Sequence, residues 1–164
     1  MHYFAYGSNM SLRRLRARVP SAVKLSNASL SSHRLHFHKR GRDGSAKCDA
    51  RQTDDPAHRV LGVVFEIAAA EKPELDQHEG VGQGYVTEKV RVVMADGCQV
   101  DAYTYIATLI DPALQPFGWY KEHVLRGALE NRLDADYVQA IRNIDAVSDP
   151  DPLRKARELA IYRL

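Results

Sequence analysis

Two short segments carry the residue types that could perform chemistry, and the first lies near the start of the chain. It reads Tyr6-Gly7-Ser8-Asn9-Met10, where an apolar run from Tyr3 stops at a glycine and a helix-like stretch follows. Glycine tolerates backbone conformations that other residues resist, and Ser8 or Asn9 can cap the helix. Such a turn presents a row of backbone N–H groups, which is a ready site for an oxyanion or a carboxylate. The pattern also fits a strand that merely ends in a capped turn.

The second segment places a carboxylate beside a glycine-rich loop. Glu79 falls at the predicted end of a short helix, directly before Gly80-Val81-Gly82-Gln83-Gly84. Three glycines in five residues favour a flexible or tightly turned loop without bulky side chains nearby. A carboxylate in this position can face a pocket and act as a general acid or base. A solvated glutamate at a helix end is the alternative, because most glutamates are exposed.

The elements that must position these segments are strands in the first two-thirds of the chain and helices in the rest. Hydrophobic periodicity predicts strands at 2–6, within 22–37 and at 60–65, and a hairpin of 85–94 and 98–107 about the turn Asp96-Gly97. Capping residues and periodicity predict helices at 11–19 and 72–78, at 119–128, after Asp134, and from Asp151 onward. Because strands and helices do not alternate regularly, the fold class is α+β.

The stretch from Arg40 to His58 gives the least regular pattern. It is rich in Gly, Asp, Arg and Lys, and it predicts a long loop around a poorly packed strand.

Length, charge and cysteine usage narrow the class of protein. The 164 residues predict one domain, 1–164, in which 150–164 form a C-terminal helical extension. The formal net charge of +2 gives no strong attraction to nucleic acid or membrane. No signal-peptide pattern and no apolar stretch of membrane length occurs, and Cys48 and Cys98 cannot form a disulfide framework. A cytoplasmic location is therefore expected.

The histidine pair His36 and His38 is the candidate metal site. The two residues share a predicted strand face, but Arg34, Lys39 and Arg40 add positive charge that competes with a cation. We therefore predict a solvated basic face and no metal.

Other reactive residue types give weaker signals. His78 should be exposed, because adjacent helical residues point in different directions. Cys48 and Cys98 have no neighbouring base and are expected to be buried or inert. The arginines after Asn9 lack the aromatic interleaving typical of nucleic-acid binding, whereas Arg13 or Arg14 near the turn could attract an anionic substrate.

Taken together, Tyr6-Gly7-Ser8-Asn9 and the later Glu79-Gly80 resemble the γ-glutamylcyclotransferase family. The resemblance covers most of the chain, from Tyr3 to about Ile144. Residues 60–65 are similar to the strand that precedes the family's glutamate, and Leu75–Val81 are similar to the segment that carries it. The resemblance also includes Tyr85-Val86, Thr104-Tyr105-Ile106 and the C-terminal helical part. The stretch 40–58 and the last twenty residues have no counterpart in it.

The resemblance implies a small mixed β-barrel with flanking helices and a cofactor-independent reaction. The α-amine of a γ-glutamyl amide would attack its own γ-carbonyl and release 5-oxoproline and a free amine or amino acid. Glu79 would be the catalytic acid and base, and the substrate-binding residues would be Tyr6, Gly7, Ser8, Asn9, Met10, Tyr85 and Tyr105. Whether the amides of Gly7–Asn9 hold the γ-carbonyl or the α-carboxylate is left open.

The expected partner is a small γ-glutamyl molecule, and neither nucleic acid nor a membrane is expected. A homodimer is left open. The turn is similar to that of the branch acting on γ-glutamyl amino acids or amines, whereas the glutathione-degrading branch has an apolar residue after the serine. Two alternatives are retained: a non-catalytic binding or interaction module on the same fold, and a cyclotransferase acting on γ-glutamyl amines in a biosynthetic pathway.

Overall fold

Strands and helices together account for most of residues 1–163, the part of the chain that the computed structural model describes. The strands are β1 (His2–Ala5), β2 (Val23–Ser31), β3 (His33–Arg40), β4 (Ala46–Gln52), β5 (Arg59–Glu66), β6 (Tyr85–Met94) and β7 (Gln99–Ala107). The α-helices are α1 (Leu12–Arg16), α2 (Lys72–Glu79), α3 (Gly118–Glu130), α4 (Ala135–Arg142) and α5 (Pro152–Leu159).

Five strands close into a barrel in the order β1-β5-β2-β6-β7. The ladders are antiparallel except for the closing contact of β1 with β7, where Tyr3 pairs with Tyr103 in parallel. The mixed barrel and the α+β class are therefore confirmed. Phe4, Val64 and Phe65 on its strands are fully buried, and each contributes roughly 1.5–3 kcal/mol through removal from water.

The expectation of a long loop around a poorly packed strand at 40–58 is wrong in part: the strand is present as β4, but it pairs with β3 in a separate two-stranded sheet and most of its residues are buried. Asp49 on this strand is buried, where it accepts hydrogen bonds from the Ala107 amide at 2.8 Å and from His38 Nε2 at 2.8 Å. Asp49 is polar, and the groups that satisfy it lie elsewhere in the sequence. The strand therefore lacks the apolar alternation by which a buried strand is predicted.

The solvated basic face predicted around His36 and His38 is also wrong in part. The ladder between β3 and β4 shifts register between Phe37 and Lys39, and this irregularity accompanies the burial of both His38 and Lys39. The His36 ring stacks on that of His38 with ring centroids 4.9 Å apart, while Arg34 and Arg40 stay exposed.

The helices flank the barrel, and several of them have well-defined ends. Gly80, with φ of 75°, ends α2 in the left-handed conformation, and Asp134 and Asp151 cap α4 and α5 with their side chains. The C-terminal helix α5 is docked, because Glu158 forms an ion pair with Arg14 at 2.9 Å. None of the helices in 1–163 combines the length and apolar character that a membrane crossing requires.

Candidate active site

The turn after β1 forms one wall of the site. Residues Ser8–Met10 make a single 3₁₀ turn, closed by a 3.0 Å hydrogen bond from the Met10 amide to the Gly7 carbonyl. Gly7 lies so close to β4 that a Cβ at this position would stand 3.2 Å from Cys48 Cβ. Within 1–163 the amides of Gly7, Ser8 and Asn9 donate to no protein group, so they remain available to a ligand.

Helix capping does not explain this turn. Ser11 occupies the N-cap position of α1 without a side-chain capping hydrogen bond, and neither Ser8 nor Asn9 provides a side-chain cap, contrary to the sequence expectation. The Asn9 side chain turns instead toward Glu79, which stands at the last position of α2.

Glu79 is fixed by two donors on one oxygen. Its Oε1 accepts hydrogen bonds from Asn9 Nδ2 at 2.9 Å and from Arg18 Nη1 at 2.7 Å. Asn9 Nδ2 also lies 3.1 Å from the Tyr3 hydroxyl, and its Oδ1 accepts from Arg18 at 3.1 Å. Within the described residues Oε2 has no partner. The carboxylate is thus held in place through Oε1, while Oε2 is left without a protein partner in this part of the chain.

An inner pocket of about 20 Å³ lies between Glu79 and the turn. Its lining consists of tyrosines and small residues around the carboxylate: Tyr3, Tyr6, Gly7, Ser8, Asn9, Cys48, Glu79, Tyr85, Tyr105 and Tyr120. A volume of roughly 10–15 Å³ suffices for one water-sized group, so the pocket accommodates about one oxygen-sized group of a ligand.

The pocket tyrosines direct their hydroxyls to protein groups. Tyr6 donates to the Tyr105 carbonyl, Tyr85 donates to the Cys48 carbonyl, and Tyr105 donates to Asp76 Oδ1 at 2.7 Å. Burial raises the pKa of Tyr6, Tyr85 and Tyr105 above the ordinary value, which keeps them neutral. They shape the walls, and none of the three contacts the Glu79 carboxylate through its hydroxyl.

A wider outer pocket of about 290 Å³ adjoins the inner one and shares Ser8, Glu79, Tyr85 and Tyr120 with it. Five basic side chains line it, against three acidic ones: Arg14, Arg18, Lys39, Arg42 and Lys47, and Asp43, Glu79 and Glu158. The excess of positive charge suits an anionic ligand.

The structure separates the sequence candidates into two groups. Tyr6, Gly7, Ser8, Asn9, Glu79, Tyr85 and Tyr105 come together at the inner pocket, as the sequence predicted. Met10 does not: it is fully buried in the core, where a Cβ on Gly127 would lie 2.6 Å from Met10 Cβ. Arg14 lies at the outer pocket, whereas Arg13 is exposed and lines neither pocket. His78 is exposed, as expected.

Sequence reasoning missed Tyr3, Tyr120, Cys48 and Arg18 as site residues. For Arg18 a signal existed, because it follows Arg14 by four positions and can therefore share one face with it. Cys48 lay within the stretch interpreted as a long loop around a poorly packed strand. Burial raises the pKa of its thiol to about 12, which agrees with the expected inertness.

Comparisons with known proteins agree with this geometry. Residues 59–141 match the model of the AIG2-like family. A human protein named gamma-glutamylcyclotransferase is 32% identical over 153 residues, and the match spans 87% of this chain and 78% of the relative. The protein of that name from Bos taurus is 33% identical over 147 residues, again spanning 87% of this chain and 78% of the relative. A solved structure named gamma-glutamyl cyclotransferase superposes with a TM-score of 0.89 at 27% identity, covering 100% of this chain and 99% of the other.

The solved structure covers the whole region that builds the site, from the turn after β1 to the C-terminal helices. The fold, the family match and the identity to curated relatives all agree. The chain therefore belongs to the γ-glutamylcyclotransferase family and is an enzyme of this type.

Proposed function

We propose that the protein converts γ-glutamyl amides into 5-oxoproline and a free amine or amino acid. The substrate's α-nitrogen attacks the γ-carbonyl, a lactam C–N bond forms, and the amide C–N bond breaks. An α-ammonium group loses two protons in this reaction, and the leaving nitrogen gains two and departs as an ammonium. The names of the relatives support the reaction class.

One observation carries the proposal, namely the position of Glu79 opposite the turn. Its Oε1 is held by Asn9 and Arg18, and its Oε2 is free for proton transfer. We assign Glu79 as the base that takes protons from the α-nitrogen and as the acid that delivers them to the leaving nitrogen. General acid–base catalysis of this kind contributes roughly 10²–10⁴-fold.

The amides of Gly7, Ser8 and Asn9 supply the second part of the proposed chemistry. These three residues line the inner pocket, and their amides have no protein acceptor within 1–163. They would hold one substrate oxygen there, either the γ-carbonyl as it gains negative charge or the α-carboxylate. Loss of one preorganised donor to an oxyanion typically costs about 10²–10³ in kcat. Tyr6, Tyr85 and Tyr105 would form the walls that exclude water.

The test is a panel of γ-glutamyl amino acids, glutathione and γ-glutamyl polyamines, with 5-oxoproline as the measured product. We expect 5-oxoproline from at least one class. Binding of a γ-glutamyl compound without any 5-oxoproline would refute the reaction and favour the non-catalytic module. Turnover confined to γ-glutamyl polyamines would favour the biosynthetic alternative.

We also propose that 1–164 form one domain and that α5 belongs to the site, because Glu158 lines the outer pocket. A single unfolding transition seen by both fluorescence and circular dichroism is expected, and two separate transitions would contradict it.

A cytoplasmic location is proposed because Cys48 and Cys98 are both free thiols. Recovery of the protein in a membrane or secreted fraction would contradict the location.

A further inference from the structure

Two cations lie against the glycine loop that follows Glu79. The side chain of Lys39 crosses Gly84 so closely that a Cβ there would stand 2.8 Å from Lys39 Cε and 3.1 Å from Nζ. Arg42 lies over Gly80, where a Cβ would stand 3.4 Å from its Nη2. The absence of side chains at Gly80 and Gly84 therefore leaves room for a positive charge at each end of the loop.

These two cations differ from the other basic residues of the outer pocket in having no anionic partner. Arg14, Arg18 and Lys47 form ion pairs with Glu158, Glu79 and Asp43 at distances of 2.9, 2.7 and 2.7 Å. In the described part of the chain neither Lys39 nor Arg42 makes a side-chain hydrogen bond or an ion pair. The outer pocket thus keeps two uncompensated positive charges.

Lys39 is the more informative of the two because it is only 4% exposed. Most of the residue is removed from water while Nζ opens on the outer pocket, and an ammonium group that has lost part of its hydration without gaining a carboxylate is costly. The Tyr85 ring, whose centroid lies 4.5 Å from Nζ, offsets only part of that cost. Burial lowers the pKa of Lys39 from its ordinary value, and the Glu79 carboxylate acts in the opposite direction. A ligand carboxylate at this position would provide the missing partner.

We propose that Lys39 and Arg42 bind the carboxylate of the leaving amino acid, so that the enzyme selects γ-glutamyl amino acids over γ-glutamyl amines. This assignment rests on the proposed function. With one oxygen of the glutamyl group in the inner pocket between Glu79 and the turn, the rest of the substrate, including the scissile nitrogen, extends into the outer pocket. The carboxylate of a leaving α-amino acid is two bonds from that nitrogen, on the side where Lys39 and Arg42 stand. A cationic polyamine leaving group would meet repulsion there.

The experiment compares γ-glutamyl-alanine with γ-glutamyl-alaninamide, which differ in one carboxylate replaced by a neutral carboxamide. We measure kcat/KM for both in the wild type, Lys39→Met and Arg42→Gln. Met retains the length and apolar stem of Lys39, so the fold should persist. A charge-assisted hydrogen bond is worth about 1.5–3 kcal/mol, so the wild type should prefer the acid about 10–100-fold. Each variant should lower that preference about tenfold or more, chiefly through KM.

Lys89→Met serves as the matched control, because Lys89 is exposed on β6 and lines neither pocket. It should keep the wild-type preference. Equal kcat/KM for acid and amide in the wild type would overturn the assignment. A Lys39→Met variant whose kcat/KM falls equally for both substrates would also overturn it, because Lys39 would then bind the α-carboxylate of the glutamyl group, which both substrates carry. Absence of 5-oxoproline from both substrates would instead refute the reaction itself, and the subsite with it.

Discussion

The carboxamide of Asn9 and the carboxylate of Glu79 meet at 2.9 Å, although 70 positions separate them in the sequence. Asn9 Nδ2 lies within hydrogen-bond reach of both Glu79 and Tyr3, and its Oδ1 accepts from Arg18. A single polar side chain on the turn after β1 therefore ties the end of α2 to the barrel. This contact sets the distance between the free amides of the turn and the proposed proton carrier.

Replacing Asn9 with Leu should lower kcat by about 10–100-fold, because Glu79 loses a hydrogen bond to its charged form worth roughly 1.5–3 kcal/mol. Arg18 alone would then hold the carboxylate. Steady-state kinetics well below the melting temperature measure the effect. The exposed Asn143→Leu variant is the control and should keep its kcat. An Asn9→Leu enzyme with unchanged kcat would show that the contact does not position Glu79.

Glutathione should be a poorer substrate than γ-glutamyl-alanine, with kcat/KM lower by about tenfold or more. The turn carries the polar Asn9 where the resemblance places an apolar residue in the glutathione-degrading branch. The C-terminal carboxylate of glutathione also lies at the far end of a dipeptide, away from Lys39 and Arg42. Competition between the two substrates in one reaction measures the ratio directly. A clear preference for glutathione would refute the branch assignment.

Elements with strong local signals were predictable from the sequence. The turn Asp96-Gly97 fixed the β6–β7 hairpin, and Gly80 marked the end of α2. A strand within 40–58 was predicted, but its close packing as β4 was not, because its buried Asp49 is satisfied by His38 and by the Ala107 amide, partners that periodicity does not reveal.

The candidate site was predictable only where its residues lie on short local motifs. The backbone donors and Glu79 lie on recognisable short motifs, whereas the ion pair between Arg18 and Glu79 joins residues 61 positions apart. Its geometry depends on how α1 and α2 pack, which local patterns do not specify. Lys39 is buried beside the irregular pairing between Phe37 and Lys39, which local patterns do not predict, so its place at the outer pocket had no sequence signal.

The two thiols should differ in reactivity toward iodoacetamide at pH 8. Cys98 is exposed, whereas Cys48 is buried at the inner pocket and burial raises its pKa to about 12. Mass spectrometry of the folded protein should therefore find a single label, on Cys98. The Cys98→Ser variant should stay unlabelled until it is denatured. Rapid labelling of Cys48 in that folded variant would contradict its assigned burial.

Stability should fall as pH drops from 7 toward 5, because of His123. Burial lowers the pKa of His123 to about 4, and Arg14 Nη1 lies 3.0 Å from its Nε2, which fits an unprotonated nitrogen. The unfolded chain then binds more protons than the folded one between about pH 6.5 and 4, so acid favours unfolding. From these two pKa values, the loss between pH 7 and 5 is about 2 kcal/mol.

Urea unfolding at the two pH values measures this dependence, and His123→Gln is the comparison. Glutamine can accept from Arg14 and does not titrate, so the variant should lose less stability than the wild type on going to pH 5. An equal loss in both proteins would show that His123 does not cause the dependence.

The most direct measurement of the central claim is kcat for 5-oxoproline formation by Glu79→Gln. The glutamine oxygen can still accept from Asn9 and Arg18, so the fold and KM should change little, while proton transfer is lost. Glu74→Gln, on an exposed face of the same helix, is the matched control and should behave as the wild type. The account predicts a fall in kcat of about 100-fold or more for Glu79→Gln. A Glu79→Gln enzyme that retained full activity would contradict it.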